Sequence, residues 1–199
     1  MVQRQHQKPA RTGRWFAGWT IIAGGLLLLA QGLYLPAKAQ VAQWLLGQAW
    51  AKTEADGGQH SPWPWADGHP VARLRWPAGG VSQIVLSSAS ARAMAFGPNH
   101  VGASALPGAR GHVVVNAHRD THFAFLGKLA AGDQLVLEHP SGQRWYRVFS
   151  RQVVDLEHQA IQLSPEADLL TLVTCWPLNA LTAGGTQRLL VHLRPEKQA

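Results

Sequence analysis

An apolar segment without charged residues stands near the N-terminus of the chain. It covers residues 15–37 and includes the run from Ile21 to Leu29. At about 1.5 Å per residue, a helix of this length spans roughly 35 Å, which is enough to cross the hydrocarbon core of a bilayer. The pattern therefore predicts one transmembrane helix over residues 15–37.

Basic residues flank this segment unequally. Four of them lie within residues 1–14, whereas only Lys38 follows closely. Because positive charge stays on the cytoplasmic side, we expect residues 1–14 to be a cytoplasmic tail. Residues 15–37 would then be a single-pass anchor in the inner membrane, and the residues after them would lie in the periplasm or outside the cell. A cleavable signal peptide is the alternative, since residues 37–39 (Ala-Lys-Ala) match a cleavage site. The apolar segment is longer than a usual signal core, which favours the anchor.

Residues 38–69 are predicted to join this anchor to a globular domain. Apolar side chains recur at roughly helical spacing over residues 39–53, as at Trp44 and Leu45. This pattern fits a juxtamembrane helix lying on the bilayer surface, and almost as well a helix packed on the globular domain. Residues 54–69 mix glycine, proline and acidic residues, which is typical of a linker.

The pattern changes at about residue 70 to short apolar stretches separated by turn residues. Two short helical pieces are expected, over residues 90–95 and 121–129. Seven or eight short strands in about 130 residues predict an all-β barrel or sandwich over residues 70–195. The candidate strands are residues 71–76, 83–87, 112–117, 134–138, 144–155, 169–174 and 187–194.

Composition narrows the possible functions. The chain has 199 residues, which allows one domain with an appendage, and its net charge of +7 is concentrated near the N-terminus. No long basic stripe follows in the domain, so nucleic-acid binding is not expected. A single cysteine excludes an internal disulfide and a cysteine-based zinc or iron–sulfur site.

The single cysteine, Cys175, follows the apolar stretch of residues 169–174 at the end of a predicted strand. Free cysteines are often buried structural residues. A free thiol kept in an oxidising compartment instead points to function, because the end of a rigid strand can present a nucleophile to a cleft. Both interpretations remain open from composition alone.

Two further polar residues stand where apolar stretches stop or start. His118 follows residues 112–117 and would supply the proton transfer that a thiol nucleophile needs. Arg188 stands at the start of residues 187–194 and would stabilise an oxyanion. If the strands of Cys175 and Arg188 are neighbours, the guanidinium can reach back over the thiol. Taken singly, histidine and arginine in such places are more often surface side chains.

The segments around these residues resemble the motifs of sortases, which are membrane-anchored cysteine transpeptidases. Residues 171–175 (Thr-Leu-Val-Thr-Cys) match the Thr-Leu-x-Thr-Cys signature, and residues 117–123 resemble the histidine motif of Gram-negative and class D-like members. Residues 187–191 stand where the family carries its arginine. The likeness covers roughly residues 70–195, in the right order and spacing. Ala117 is a departure, because the family usually has glycine before the histidine and alanine does not easily reach positive φ.

The resemblance implies a closed eight-stranded β-barrel of the sortase type, with short helices, behind one N-terminal transmembrane helix. It also implies a reaction. Cys175 would attack a carbonyl in the C-terminal sorting signal of a secreted protein and form a thioester, which an amine acceptor in the cell envelope would resolve. His118 would act as acid and base, and Arg188 would stabilise the oxyanion. No cofactor is implied.

Three more residues are candidates for substrate binding. Thr174 is expected to line the site. Asp120 is expected either to orient His118 or to cap the helix that follows. His100 is expected in a substrate groove or on a surface loop. His122 stands four residues after His118, but the loop lacks the glutamate of a zinc motif, so no metal site is expected.

Two other functions stay open beside the sortase interpretation. One is a peptidoglycan L,D-transpeptidase, which also uses cysteine, histidine and arginine outside the membrane, although its usual Ser/Thr-His-Gly-Cys motif does not precede Cys175. The other is a membrane-tethered binding or assembly module with a silent site, against which the presence of all three expected residues argues. The sorting motif depends on the loops at residues 88–110, 155–168 and 176–187, whose shape the sequence does not give.

Overall fold

In this computed structural model, the described residues fall into two units, which meet in sequence between residues 41 and 42. The predicted basic tail falls almost entirely outside the part of the chain that is described. The described residues are 12–88, 90–180, 182 and 184–196.

One long helix, α1, runs from Thr12 to Asp56. In its first part, the side chains of Leu26, Leu28 and Leu33 are 61%, 70% and 66% exposed. Within the described residues, α1 is the one helix long and apolar enough to cross a membrane, with a mean hydropathy of 1.4 in its most apolar window. These properties fit the predicted anchor, and a signal sequence would share them.

From Ala42 onward, α1 belongs to the second unit and has a buried face. Leu46 and Trp50 are completely buried, and Leu46 packs in one cluster with Leu86. The guanidinium of Arg73 lies 5.4 Å from the centre of the Trp50 ring. Of the two placements expected for this helical segment, the structure therefore gives packing on the globular domain.

A closed barrel of eight strands forms the body of the second unit. The strands are β1 (Pro70–Trp76), β2 (Val81–Leu86), β3 (Asn99–His100), β4 (His112–Asn116), β5 (Gln134–His139), β6 (Gly142–Asp155), β7 (Leu169–Cys175) and β8 (Gln187–Pro195). Their order around the barrel is β1-β2-β3-β4-β7-β8-β6-β5. This confirms the closed eight-stranded barrel and decides between barrel and sandwich. The predicted strands lacked β3, because two residues show no readable alternation.

The predicted helical pieces of the domain are short 3-10 helices. They cover Ala93–Ala95 and Ala124–Lys128, and each is shorter than the sequence pattern suggested. Ahead of the barrel, the ring of Trp63 meets that of Phe96 edge to face at 5.0 Å between centroids. The segment predicted as a linker is therefore partly packed on the domain.

The parallel neighbours β4 and β7 are buried on both faces. Val113 and Leu170 point into the barrel core, whereas Val114 and Val173 belong to an apolar cluster on the outer face, against which Ile161 packs. Burial on both faces explains why the two strands appear in the sequence as nearly continuous apolar runs. The last residue of each strand is partly exposed, at the edge that carries the candidate residues.

Candidate active site

Pairing between strands brings three of the candidate residues together. Cys175 and Arg188 are direct partners across the antiparallel pair β7–β8. On the other side of β7, the last paired residue of β4, Asn116, lies opposite Val173. Two positions further along both chains, His118 therefore comes beside Cys175. Cys175 on β7, Arg188 on β8 and His118, two residues past the end of β4, therefore form one row, which we call the candidate row.

The candidate row lies on the outer face of the barrel. Side chains alternate along a strand, so Cys175 and Arg188 share a face with Val173 and Leu190 of the outer apolar cluster. Cys175 is partly exposed and His118 is exposed. Cys175 is therefore not the fully buried cysteine of the structural alternative.

Backbone and hydroxyl hydrogen bonds hold His118 at the end of β4. The N–H of Ala117 donates to the Val173 carbonyl at 3.1 Å, and the Phe123 N–H donates to the His118 carbonyl at 3.0 Å. The hydroxyl of Thr174 donates to the Ala117 carbonyl at 2.8 Å. Thr174 is only 2% exposed. Its hydrogen bond therefore links the chain at the end of β4 to β7 beneath the candidate row.

Ala117 stands where the resemblance leads one to expect glycine. Its methyl group is buried in the barrel core. Within the described part of the chain, positive φ values occur at glycines alone, so Ala117 has an ordinary backbone conformation. The alanine therefore needs no positive φ, and its methyl group belongs to the core packing next to His118.

Arg188 is held at the end of the connection between β7 and β8. Its Nη1 donates to the carbonyl oxygens of Gly185 at 2.7 Å and Gln187 at 2.8 Å. A guanidinium carries five N–H donors in a fixed plane. The groups on Nη2 and Nε are donors of the kind that stabilises a developing oxyanion.

For Asp120 and for His100, the structure excludes one of the two placements that the sequence suggested. The carboxylate of Asp120 is exposed and accepts a hydrogen bond of 3.3 Å from Nε of Arg119. The capping role predicted for it is wrong, because the 3-10 helix begins only at Ala124 and has no side-chain cap. His100 lies in β3, is 5% exposed and bonds the Ala105 carbonyl at 2.9 Å. It is therefore part of the barrel wall and not of a surface loop.

His122 packs close to the candidate row. Its Nδ1 lies 3.0 Å from Oε1 of Gln83, and its Nε2 lies 3.4 Å from the Ala95 carbonyl. Burial lowers the pKa of His122, the Ala95 carbonyl opposes this effect, and charge on His118 lowers the pKa further. His122 thus joins Gln83 of β2 to the segment of Ala95, with a pKa below its ordinary value.

Arg119 is a residue that sequence analysis missed. It is only 7% exposed, and its guanidinium donates to carbonyl oxygens of the connection that follows β7. Its place directly after His118 was the one available signal. Sequence spacing does not show that a side chain reaches a segment about sixty residues away.

Comparison with known proteins agrees with this geometry. A family model described as the sortase domain matches residues 74–196, which is more than half of the chain. Sortase D of Bacillus subtilis (strain 168) is 36% identical over 84 residues, a match that covers 42% of this chain and 42% of that relative. In this match, the chain thus spans less than half of the relative's length.

Solved structures of sortases share the barrel. Sortase A from Corynebacterium diphtheriae has a TM-score of 0.59 and 25% identity, with 68% of this chain and 64% of that chain covered. Sortase C-1 from Actinomyces oris has a TM-score of 0.58 and 28% identity, with 65% and 75% covered. The matched family domain, the related sequence and the shared barrel lead to one conclusion: the chain belongs to the sortase family.

Proposed function

We propose that this protein is a cysteine transpeptidase that cleaves the C-terminal sorting signal of a secreted protein and transfers the acyl part to an amine. The observation that carries the proposal is the candidate row, in which the partly exposed Cys175 lies between Arg188 of the adjacent strand β8 and His118, two residues past the end of the other neighbouring strand, β4. Membership in the sortase family supports the same type of reaction.

In the first half-reaction, Sγ of Cys175 attacks the carbonyl carbon of the scissile peptide bond, and the thiol proton passes to His118. A C–S bond forms, and the negative charge on the carbonyl oxygen faces the N–H donors of Arg188. The intermediate then collapses and the C–N bond breaks. His118 returns the proton to the leaving amine, and a thioester remains on Cys175.

In the second half-reaction, an amine acceptor attacks the thioester carbonyl and His118 takes up its proton. The C–S bond breaks as the new amide bond forms, and the proton returns to the sulfur of Cys175. Water in place of the amine would give hydrolysis by the same steps. The reaction exchanges one amide bond for another and consumes no cofactor.

The surroundings of the candidate row favour a peptide with apolar side chains near the scissile bond. Next to Cys175, Val173 and Leu190 are buried beneath Ile161 and Leu163, two residues of the β6–β7 connection. A sorting signal bound beside the thiol would contact Ile161 and Leu163, which are partly exposed. The β6–β7 connection is therefore a determinant of which signal is accepted.

The same proposal assigns the catalytic domain to the outer side of the inner membrane. Its support is the exposed apolar surface of α1 and the basic residues that precede this helix. The N-terminus then lies in the cytoplasm, and α1 is a single-pass anchor. Secreted substrates and amines of the cell envelope meet the enzyme on the outer side.

Intact mass spectrometry tests the proposal. The full-length protein in detergent is incubated with a panel of C-terminal sorting-signal peptides and one peptidoglycan stem peptide, with Cys175→Ala as control. The expected result is a mass gain on wild type alone that hydroxylamine removes. A gain with the stem peptide alone would support the L,D-transpeptidase alternative. No gain with any peptide, while the thiol alkylates freely, would support the silent module.

A further inference from the structure

Arg119 connects the segment of His118 to the segment that follows β7. Its Nη1 donates to the Pro177 carbonyl at 3.2 Å, and its Nη2 donates to the carbonyls of Ala180 at 2.9 Å and Thr182 at 2.7 Å. All three acceptors belong to the connection between β7 and β8. One buried side chain therefore holds this connection at three points.

The hydrogen bonds of Arg119 match the geometry of a guanidinium. A buried guanidinium is costly unless its donors are satisfied. Together with the bond from Nε to Asp120, four hydrogen bonds leave the guanidinium of Arg119, which has five N–H groups. The planar fork reaches several acceptors at once, and a lysine ammonium does not reproduce this geometry.

Arg119 directly follows His118, so its hydrogen bonds act on the segment that carries this member of the candidate row. His118 lies beyond the last paired residue of β4, so the sheet ladder does not hold it directly. The bond from the Ala117 N–H fixes its N-terminal side. On its C-terminal side the Phe123 N–H closes a local turn, and Arg119 ties this turn to the β7–β8 connection. The other end of this tie is also firm, because Trp176 and Leu178 pack against the barrel core.

We infer that Arg119 is a positioning residue that sets the distance between the His118 ring and the Cys175 thiol. It ties the chain after His118 to the chain after Cys175. Its kinetic consequences rest on the proposed function, whereas its structural consequences do not. A displacement of about 1 Å of a catalytic group can cost on the order of 100-fold in rate.

The kinetic experiment uses the full chain with Arg119→Met. We expect kcat to fall by about 10- to 100-fold with KM changed less than about threefold, because substrate contacts remain while the acid–base geometry is lost. Arg119→Lys should recover part of kcat. The control is Arg151→Met, because Arg151 also donates to a loop carbonyl, that of Leu129, at 2.8 Å. This variant should retain wild-type kcat.

A double-mutant cycle separates positioning from general destabilisation. In a His118→Ala background, Arg119→Met should lower the remaining turnover by less than about twofold, because its effect acts through the missing ring. An equal loss in both backgrounds would overturn the inference. Wild-type kcat in Arg119→Met alone would also overturn it.

Hydrogen exchange decides the inference without a substrate. In Arg119→Met, the amides of residues 118–123 and those of the β7–β8 connection should exchange about 10-fold faster or more than in wild type. In Arg151→Met, they should exchange as in wild type. If no peptide acylates the wild type, the proposed function fails while this measurement still stands. Unchanged exchange in both segments of Arg119→Met would overturn the inference.

Discussion

The backbone N–H of Ser164 donates a hydrogen bond of 3.2 Å to Nδ1 of His112, the first residue of β4. Nδ1 is therefore unprotonated, and the proton of the neutral ring lies on Nε2, which donates to the Thr171 hydroxyl oxygen at 2.7 Å. Thr171 is in turn bonded to Nδ1 of His192 at 2.9 Å. This chain of hydrogen bonds ties the β6–β7 connection to the strands that carry the candidate row.

We expect the protein to lose stability in mild acid. Burial lowers the pKa of His112 and of His192, and for His192 charge on His112 adds to the effect. As pH falls below the ordinary value of 6.5, the unfolded chain binds these protons before the folded chain does. The stabilisation is therefore complete above pH 6.5 and is lost as pH falls toward the folded pKa values. Thermal unfolding between pH 8 and pH 5 measures it.

His112→Asn identifies the residue responsible. The Asn oxygen can accept the Ser164 bond but does not titrate, so Tm should fall less steeply with pH than in wild type. One proton corresponds to at most about 1.4 kcal/mol per pH unit. His158→Asn is the control, because His158 is exposed, and it should keep the wild-type slope. A wild-type slope in His112→Asn would contradict the prediction.

The buried face of α1 predicts that a fragment starting at residue 42 is more stable than one starting at residue 58. The shorter fragment loses Leu46 and Trp50, both completely buried, and uncovers Leu86. Burial of a large apolar side chain contributes about 1.5–3 kcal/mol, so the loss is about 3–6 kcal/mol for the two. Chemical denaturation of both fragments measures the difference, and equal midpoints would show that this part of the helix does not stabilise the barrel.

Much of the barrel and of the candidate row could be predicted from the sequence. Strands such as β4 and β7 stand out because both of their faces are buried, and Cys175 and His118 mark their ends. The pairing of Cys175 with Arg188 was conditional on neighbouring strands, and the register meets that condition.

The remaining features of the fold and of the site depend on contacts between distant segments, which local periodicity does not reveal. Arg119 reaches carbonyls 58, 61 and 63 residues away in the chain. The neighbours of Asp120 suggest either a cap or a partner for His118, whereas its carboxylate accepts a hydrogen bond from the adjacent guanidinium. The docking of Trp50 depends on the barrel surface that faces it, which no pattern within α1 specifies.

Ala117→Gly tests whether the alanine before His118 is a defect. Because the methyl group is buried and φ is ordinary, glycine should lower stability by about 1–2 kcal/mol through lost burial and greater freedom of the unfolded chain. We expect kcat to stay within about twofold of wild type, since no strain is relieved. Ala72→Gly, at a completely buried core position in β1, is the matched control for stability. A severalfold gain in kcat would show that alanine perturbs the site.

Substitutions at the two flanking residues of the candidate row should separate their roles. Arg188→Ala should lower kcat/KM by about 10²–10³-fold, because a donor to the oxyanion is lost, and Arg188→Lys should lie between alanine and wild type. His118→Ala should cost about 10²–10⁴-fold through lost proton transfer.

The control for these variants is Arg194→Ala. Arg194 lies on β8 as Arg188 does and is exposed, with its guanidinium 4.1 Å from the centre of the Phe149 ring. It should react like wild type in a time course of thioester formation followed by intact mass. Full reactivity in Arg188→Ala would exclude an oxyanion role, and another donor would then have to face the carbonyl oxygen. Full reactivity in His118→Ala would mean that solvent or a different residue protonates the leaving amine.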